Sequence, residues 1–275
     1  MFDNAANQGI LAKDLTVSYR NRLAIDRISF HVAPGEFVCF LGTTGCGKST
    51  ILNAIAGFIK PTNGAIYIDN HPIDGPGPDR GFVFQQHALF SWKTVQGNVE
   101  FGLKMQGMSR NERRIVANDY IKRVGLDGFQ KNYPSQLSGG MQQRVGLARV
   151  LASNPAVMLM DEPFGSLDAQ TRSMMQELLL DIWEEFGKTI IFVTHDVEEA
   201  IFLADRILVL TARPGVVKEE IRISLPRPRS YETLISSEYL QIKKRVLELI
   251  RIETLKTVES SVHRRLPPKN TTLPS

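Results

Sequence analysis

The residues best equipped for chemistry in this chain lie in one string, GTTGCGKST, at positions 42–50. Gly42, Gly47, Lys48 and Ser49 fill the fixed places of the pattern G-x-x-x-x-G-K-S/T. The glycines let the backbone fold tightly, so that its N–H groups point inward at phosphate oxygens. A helix starting near Gly47 adds the positive end of its dipole. Lys48 brings a point charge to β- and γ-phosphates, and the Ser49 hydroxyl is a ligand for Mg2+. Thr43, Thr44, Gly45, Cys46 and Thr50 complete the loop and are expected to line the nucleotide. A Gly-rich turn matching by accident arises on the order of once in a hundred chains of this length. Here an apolar run at 36–41 reads as a strand leading in and 49–58 as a helix leading out, which is the context phosphate binding requires.

Two further strings carry chemistry. VMLMDE at 157–162 is an apolar strand ending in two carboxylates. Asp161 is expected to hold Mg2+ through its water shell, and Glu162 to orient or deprotonate an attacking water. An apolar strand ending in Asp-Glu is common, so this reading leans on the phosphate loop. LSGGMQQR at 137–144 places Ser138, Gly139 and Gly140 where a helix should begin. Ser is a good N-cap, and the glycines leave backbone N–H groups open to an anion. One chain therefore holds two phosphate-binding helix starts.

The elements that must position these groups alternate. Strands are expected at 11–18 and 25–32, then at 65–69 and 81–84, with 71–80 a loop rich in Pro and Gly. Residues 94–152 carry helical periodicity and read as an insertion. Beyond it come strand 157–160, helix 168–186, strand 189–194, helix 196–204 and strand 206–210, which implies a largely parallel sheet with ligands at the carboxyl ends of its strands. From Ile221 the core is expected to thin out, 226–228 to be a linker, 231–257 a helix and 262–275 a disordered tail, with a short flexible leader at 1–9.

Composition narrows the class. The chain has 275 residues, 43% of them apolar, and a formal charge of +4. That supports one large or two modest domains. No apolar run is long enough to cross a bilayer. Cys39 and Cys46 form no disulfide framework, which fits a reducing cytosol. No basic cluster interleaved with aromatics suggests a nucleic-acid groove.

With GTTGCGKST, LSGGMQQR and VMLMDEP in this order and spacing, the chain resembles the ATPase subunits of ATP-binding-cassette (ABC) transporters from about residue 10 to 225. The resemblance implies a P-loop NTPase α/β core with a mainly parallel sheet, an antiparallel β subdomain and a helical subdomain inserted at about 87–155; 226–275 would be a C-terminal helical extension and tail. It implies ATP and Mg2+ as ligands. Tyr19 stands where the family stacks an aromatic on adenine. Gln85 matches the glutamine that contacts Mg2+ and water and links to the membrane partner. Asp168, in Ser166-Leu167-Asp168, matches a loop that crosses between subunits, and His195 the histidine that contacts the γ-phosphate. Lys48, Gln85, Glu162 and His195 are then the catalytic set, and Ser49, Gln85 and Asp161 the metal set.

The family places each ATP between two copies, so that Ser138, Gly139 and Gly140 act on the nucleotide held by the partner. Transmembrane permease subunits, and indirectly a periplasmic or lipid-anchored binding protein, are the other implied partners, with the chain at the cytoplasmic face of the membrane. The strings GPGPDR (75–80), FVFQQHALF (82–90), DAQTRSMMQE (168–177), DVEEAIFLAD (196–205) and ARPG (212–215) are similar to the importers of taurine, alkanesulfonates and nitrate. Ser91 before Trp92 departs from the family's usual Pro and bears on partner fit. The competing readings are a soluble cassette ATPase acting on DNA or ribosomes, which usually carries two cassettes, a long coiled coil or zinc-binding cysteines, and a nucleotide-binding regulator that does not hydrolyse.

Overall fold

The structure, a computed structural model, describes residues 9–20, 22–85 and 88–263. Most of the expected leader, at 1–8, and the tail beyond 263 lie outside the described residues, as do Asn21 and Gln86. Gly9, the last residue of the expected leader, is tied down: its N–H donates to Asp69 Oδ1 at 2.8 Å and its carbonyl accepts from the Asp69 N–H at 2.9 Å.

The core is a six-stranded sheet. In chain order its strands are β3 (Phe37–Leu41), β6 (Arg80–Val83), β7 (Val157–Asp161), β8 (Thr189–Thr194), β9 (Arg206–Leu210) and β10 (Val217–Arg222). In space the order is β10-β9-β3-β8-β7-β6, parallel throughout except for β10 at the edge. The runs of β3 and β8 are buried at every position, as strands covered on both faces require. Their side chains alternate between two cores. Phe37, Cys39 and Leu41 join Met158, Met160, Ile190 and Phe192 on one face, while Val38 and Phe40 join Leu159, Ile191 and Val193 on the other.

A second sheet of four antiparallel strands, β2-β1-β4-β5, lies beyond the latter face; it is built from β1 (Ile10–Tyr19), β2 (Arg22–Val32), β4 (Asn63–Ile68) and β5 (His71–Pro72). β5 corrects the reading of 71–80 as loop throughout, because His71 and Pro72 pair with Ile68 and Tyr67. Helix α1 (Lys48–Ile55) packs between the sheets. The inserted segment supplies α2 (Val95–Met105), α3 (Arg110–Arg123) and α4 (Gly139–Ala152), followed by α5 (Ala169–Phe186), α6 (Val197–Leu203) and α7 (Ser237–His263).

The core does not thin out at Ile221. Strand β10 escapes the sequence pattern, because KEE in VKEEIR hides an edge strand whose inward positions are few. Ile221, Ile223, Leu225, Tyr239 and Val246 all enter the same apolar cluster as Phe192. Arg229, at the joint, is 5% exposed; burial lowers its pKa to about 10. Its Nη1 donates to the carbonyls of Ile201, Phe202 and Ala204, which capture the end of α6.

Candidate functional site

Parallel pairing in register brings four strand ends to one edge. Leu41 of β3 stands opposite Thr194 of β8, Val193 opposite Asp161 of β7, and Met160 opposite Val83 of β6. The segments leaving these strands therefore meet there: the loop at 42–47 after β3, His195 after β8, Glu162 after β7 and Gln85 after β6. Gln85 and Glu162, 77 positions apart in the chain, become neighbours because their strands are, and so do Ser49 and Asp161, 112 positions apart.

At the loop, Gly47 sits at φ 104, a conformation open to glycine, and it starts α1 without any side-chain cap. Gly47 thus brings no side chain to the first N–H groups of α1, an arrangement that suits an external acceptor. Lys48, 5% exposed, lies across the loop: Nζ donates to Gly42 O at 2.8 Å and Thr43 O at 3.3 Å, and is 3.9 Å from Glu162 Oε1. The Thr43 hydroxyl is buried with no partner, a polar atom in the loop that a phosphate oxygen would satisfy. The Ser49 hydroxyl donates to Asp161 Oδ1 at 3.0 Å. Burial raises the Asp161 pKa, and the neighbouring Glu162 charge adds to the rise while Ser49 opposes it. A hydroxyl and a destabilised carboxylate are the hard oxygen donors that suit a small divalent cation, so the residues fit Mg2+.

Glu162 is the hub. Its backbone is held at φ 46, with a hydrogen bond from its N–H to Val193 O at 2.9 Å. A non-glycine residue costs energy in that region, and such strain clusters at functional positions. One carboxylate oxygen faces Lys48; the other accepts from Gln85 Nε2 at 3.2 Å and lies 3.1 Å from His195 Nδ1. Lys48, Gln85, Glu162 and His195 are thereby brought together, with Ser49 and Asp161 beside them. Tyr19 stands 48% exposed at the end of β1.

Ser138, Gly139 and Gly140 are placed differently. Ser138 caps α4, its hydroxyl accepting from Met141 N–H at 3.3 Å. The rest of LSGGMQQR fixes that helix. Gln142 Nε2 donates to the carbonyls of Pro134 and Leu137, Gln143 Nε2 to Phe84 O, and Arg144 Nη1 to the carbonyls of Val124 and Gly125 that close α3. Gly140 lies against the other candidate loop: a Cβ there would stand 3.2 Å from a Leu167 methyl. Asp168 caps α5 by accepting from Thr171 N–H at 3.0 Å, a bond that lowers its pKa.

Sequence reasoning passes over two positions. Asn98, fully buried on α2, accepts from Phe90 N–H and donates to the carbonyls of Phe90, Lys93 and Thr94, so it shapes the segment that carries Ser91. A lone helical Asn gives no signal of this. Gly215, legible only as part of the ARPG string, packs on the phosphate loop: a Cβ there would lie 2.2 Å from Cys46 O.

A family model described as "ABC transporter" matches residues 25–165, about half of the chain. The chain belongs to the ABC transporter family. A taurine import ATP-binding protein of Yersinia pestis is 50% identical over 210 residues, covering 76% of this chain and 82% of that protein. A nitrate import ATP-binding protein of Synechocystis is 48% identical over 235 residues, 83% of this chain and 88% of its own. Among solved structures, the dimeric post-hydrolysis state of an ATP-binding cassette bound to ADP and Pi is 37% identical at a TM-score of 0.72, covering 78% of this chain and 98% of that one. This chain is accordingly an ABC-type ATPase with the P-loop α/β fold.

Proposed function

We propose that the chain is the ATP-hydrolysing subunit of a membrane importer for a small anion of the nitrate, taurine or alkanesulfonate class. The observation that carries the ATPase chemistry is the convergence of Lys48, Gln85 and His195 on the Glu162 carboxylate. In this reading the N–H groups of residues 42–50 and Lys48 hold the β- and γ-phosphates, and Tyr19 stacks on the adenine. Ser49, Gln85 and Asp161 would hold Mg2+, which supplies charge neutralisation on the phosphate oxygens. Glu162 orients or deprotonates the attacking water, Gln85 keeps that carboxylate in place, and His195 contacts the γ-phosphate. Residues 10–225 act as the ATPase unit, with the helical insert at about 87–155.

Two copies work as one machine. Ser138, Gly139 and Gly140 of each copy close on the nucleotide of the other, and Asp168 crosses the joint. ATP favours the closed pair, and hydrolysis releases it; only that preference lets binding energy move the partner.

The permease subunits fit a groove of about 530 Å3 beside Gln85, lined by Phe84, Ala88, Phe90, Phe101 and Arg149 among others. Its apolar lining, and the exposed Trp92 whose ring lies 5.5 Å from that of the lining Phe90, suit an inserted helix from a membrane partner. Among the described residues no helix is long and apolar enough to cross a membrane, and in this reading the chain is peripheral, at the cytoplasmic face. The anion is supported by the relatives' import of nitrate and taurine. A binding protein outside the membrane would choose it.

The test is deletion followed by growth on single sulfur or nitrogen sources, with co-purification of the tagged chain. Loss of growth on a sulfonate or nitrate alone, together with recovery of a hydrophobic partner, is the expected outcome. Recovery of DNA or ribosomes with no membrane protein favours the soluble cassette reading instead.

A further inference from the structure

β9 ends at Leu210 behind the phosphate loop, and the chain then doubles back. Thr211 N–H donates to Val216 O at 2.9 Å. The Thr211 hydroxyl donates to Pro214 O at 2.9 Å and accepts from Val216 N–H at 3.0 Å. The tip of this hairpin is a wedge. Gly215 N–H donates to Ala24 O at 2.8 Å, and Gly215 O accepts from Asp26 N–H at 3.0 Å. Ala24 O and the neighbouring Ile25 in turn close over Gly47, where an added Cβ would stand 2.3 Å from an Ile25 methyl. With Cys46 O against Gly215, the wedge packs on the loop from behind.

The wedge is held from the other side by the C-terminal helix. Ala212 N–H donates to Glu253 Oε2 at 3.0 Å. Glu253, on α7, is 1% exposed and its other oxygen binds Lys218 Nζ at 2.7 Å and Lys256 Nζ at 2.9 Å. Lys218 belongs to β10 and also donates to Leu249 O on α7 at 3.4 Å. Burial pushes the Glu253 carboxyl up, but Lys218, the Ala212 N–H and Lys256 more than offset it and hold the group at about 2. The two lysines and the Ala212 N–H thus favour the ionised form of Glu253.

We propose that Glu253 is a positioning residue for nucleotide binding: it anchors the 212–215 wedge that sets the back of the phosphate loop, and so couples helix α7 to ATP. The proposal rests on the reading that residues 42–50 hold ATP. Coupling is reciprocal. Whatever displaces α7 weakens ATP binding, and bound nucleotide makes α7 harder to open.

Hydrogen exchange of the full-length wild-type chain, with and without a non-hydrolysable ATP analogue and Mg2+, tests this directly. Slower exchange is expected at 42–50, at 211–216 and at 249–256. Glu253→Gln removes the charge that holds the side chain between Lys218 and Lys256, and so releases it from the Ala212 N–H. It is expected to raise KM for ATP about 5-fold or more with kcat changed much less, and to abolish the response of 249–256 while leaving that of 42–50. Gly215→Ala, which presses on Cys46 O without touching α7, is expected to raise KM in the same way. Protection at 42–50 with none at 249–256 in the wild type overturns the proposal, as does a folded Glu253→Gln with unchanged KM. Absence of protection at 42–50 itself overturns the ATP-site reading beneath it. Should Glu253→Gln fail to fold, the wild-type exchange decides alone.

Discussion

Two helix starts in this chain use the same device, small residues ahead of exposed N–H groups, and end in opposite conditions. At α1, Gly47 provides no cap, Thr43 has a stranded hydroxyl, and Lys48, Ser49, Asp161 and Glu162 crowd the opening. At α4, Ser138 caps its own helix, and Gln142, Gln143 and Arg144 direct their donors to the carbonyls that hold the helix in place. Ser138 and Gly139 remain exposed. In the proposed reading one start is a socket and the other a tool held outward. A tool with no substrate of its own in the chain makes chemical sense when a second copy offers one.

The largest expected effect breaks the socket. Glu162→Gln should cut turnover by about 100-fold to 10,000-fold while ATP still binds, and size-exclusion chromatography with ATP should then show a dimer. A variant that binds ATP in the presence of its membrane partner and stays monomeric contradicts the shared-site arrangement. Next comes the comparison itself. Lys48→Ala should lose about 100-fold or more in turnover. Ser138→Arg should lose turnover to a similar extent yet bind ATP normally as a lone subunit. Mixing the two inactive proteins should restore activity, because one site then joins an intact loop to an intact LSGG start. No restoration would mean that Ser138 acts within its own chain. The smallest effect sharpens the picture at its edge: Tyr19→Ala should weaken ATP binding by about 1–3 kcal/mol, measured by titration, with kcat at saturation unchanged.

The reach of the sequence differs between these regions for a physical reason. Phosphate binding needs a tight turn, a cation and a hydroxyl within a few residues, so the loop at 42–50 is a local pattern that reads directly. The carboxylate pair at 161–162 reads only in the company of that loop, since an apolar strand ending in Asp-Glu is common. The strand at 217–222 is not legible, because an edge strand needs few inward positions and shows no clean alternation. The expected thinning of the core from Ile221 comes too early for the same reason. On α7, Tyr239 and Val246 are buried and Ile242, Leu249 and Ile250 pack beside them, an inward face interleaved with charged residues.

The sequence by itself determined which phosphate-binding residue types this protein carries at 42–50, because that pattern is fixed by residue type at short spacing. It also determined the alternation of strand and helix that makes a parallel sheet. Only the tertiary structure decided who faces whom. The order β3-β8-β7-β6 puts Glu162 between Lys48, Gln85 and His195, and the docking of α7 puts Glu253 on Ala212. Strand order and helix docking depend on contacts between residues far apart in the chain, and no local window of sequence contains both partners.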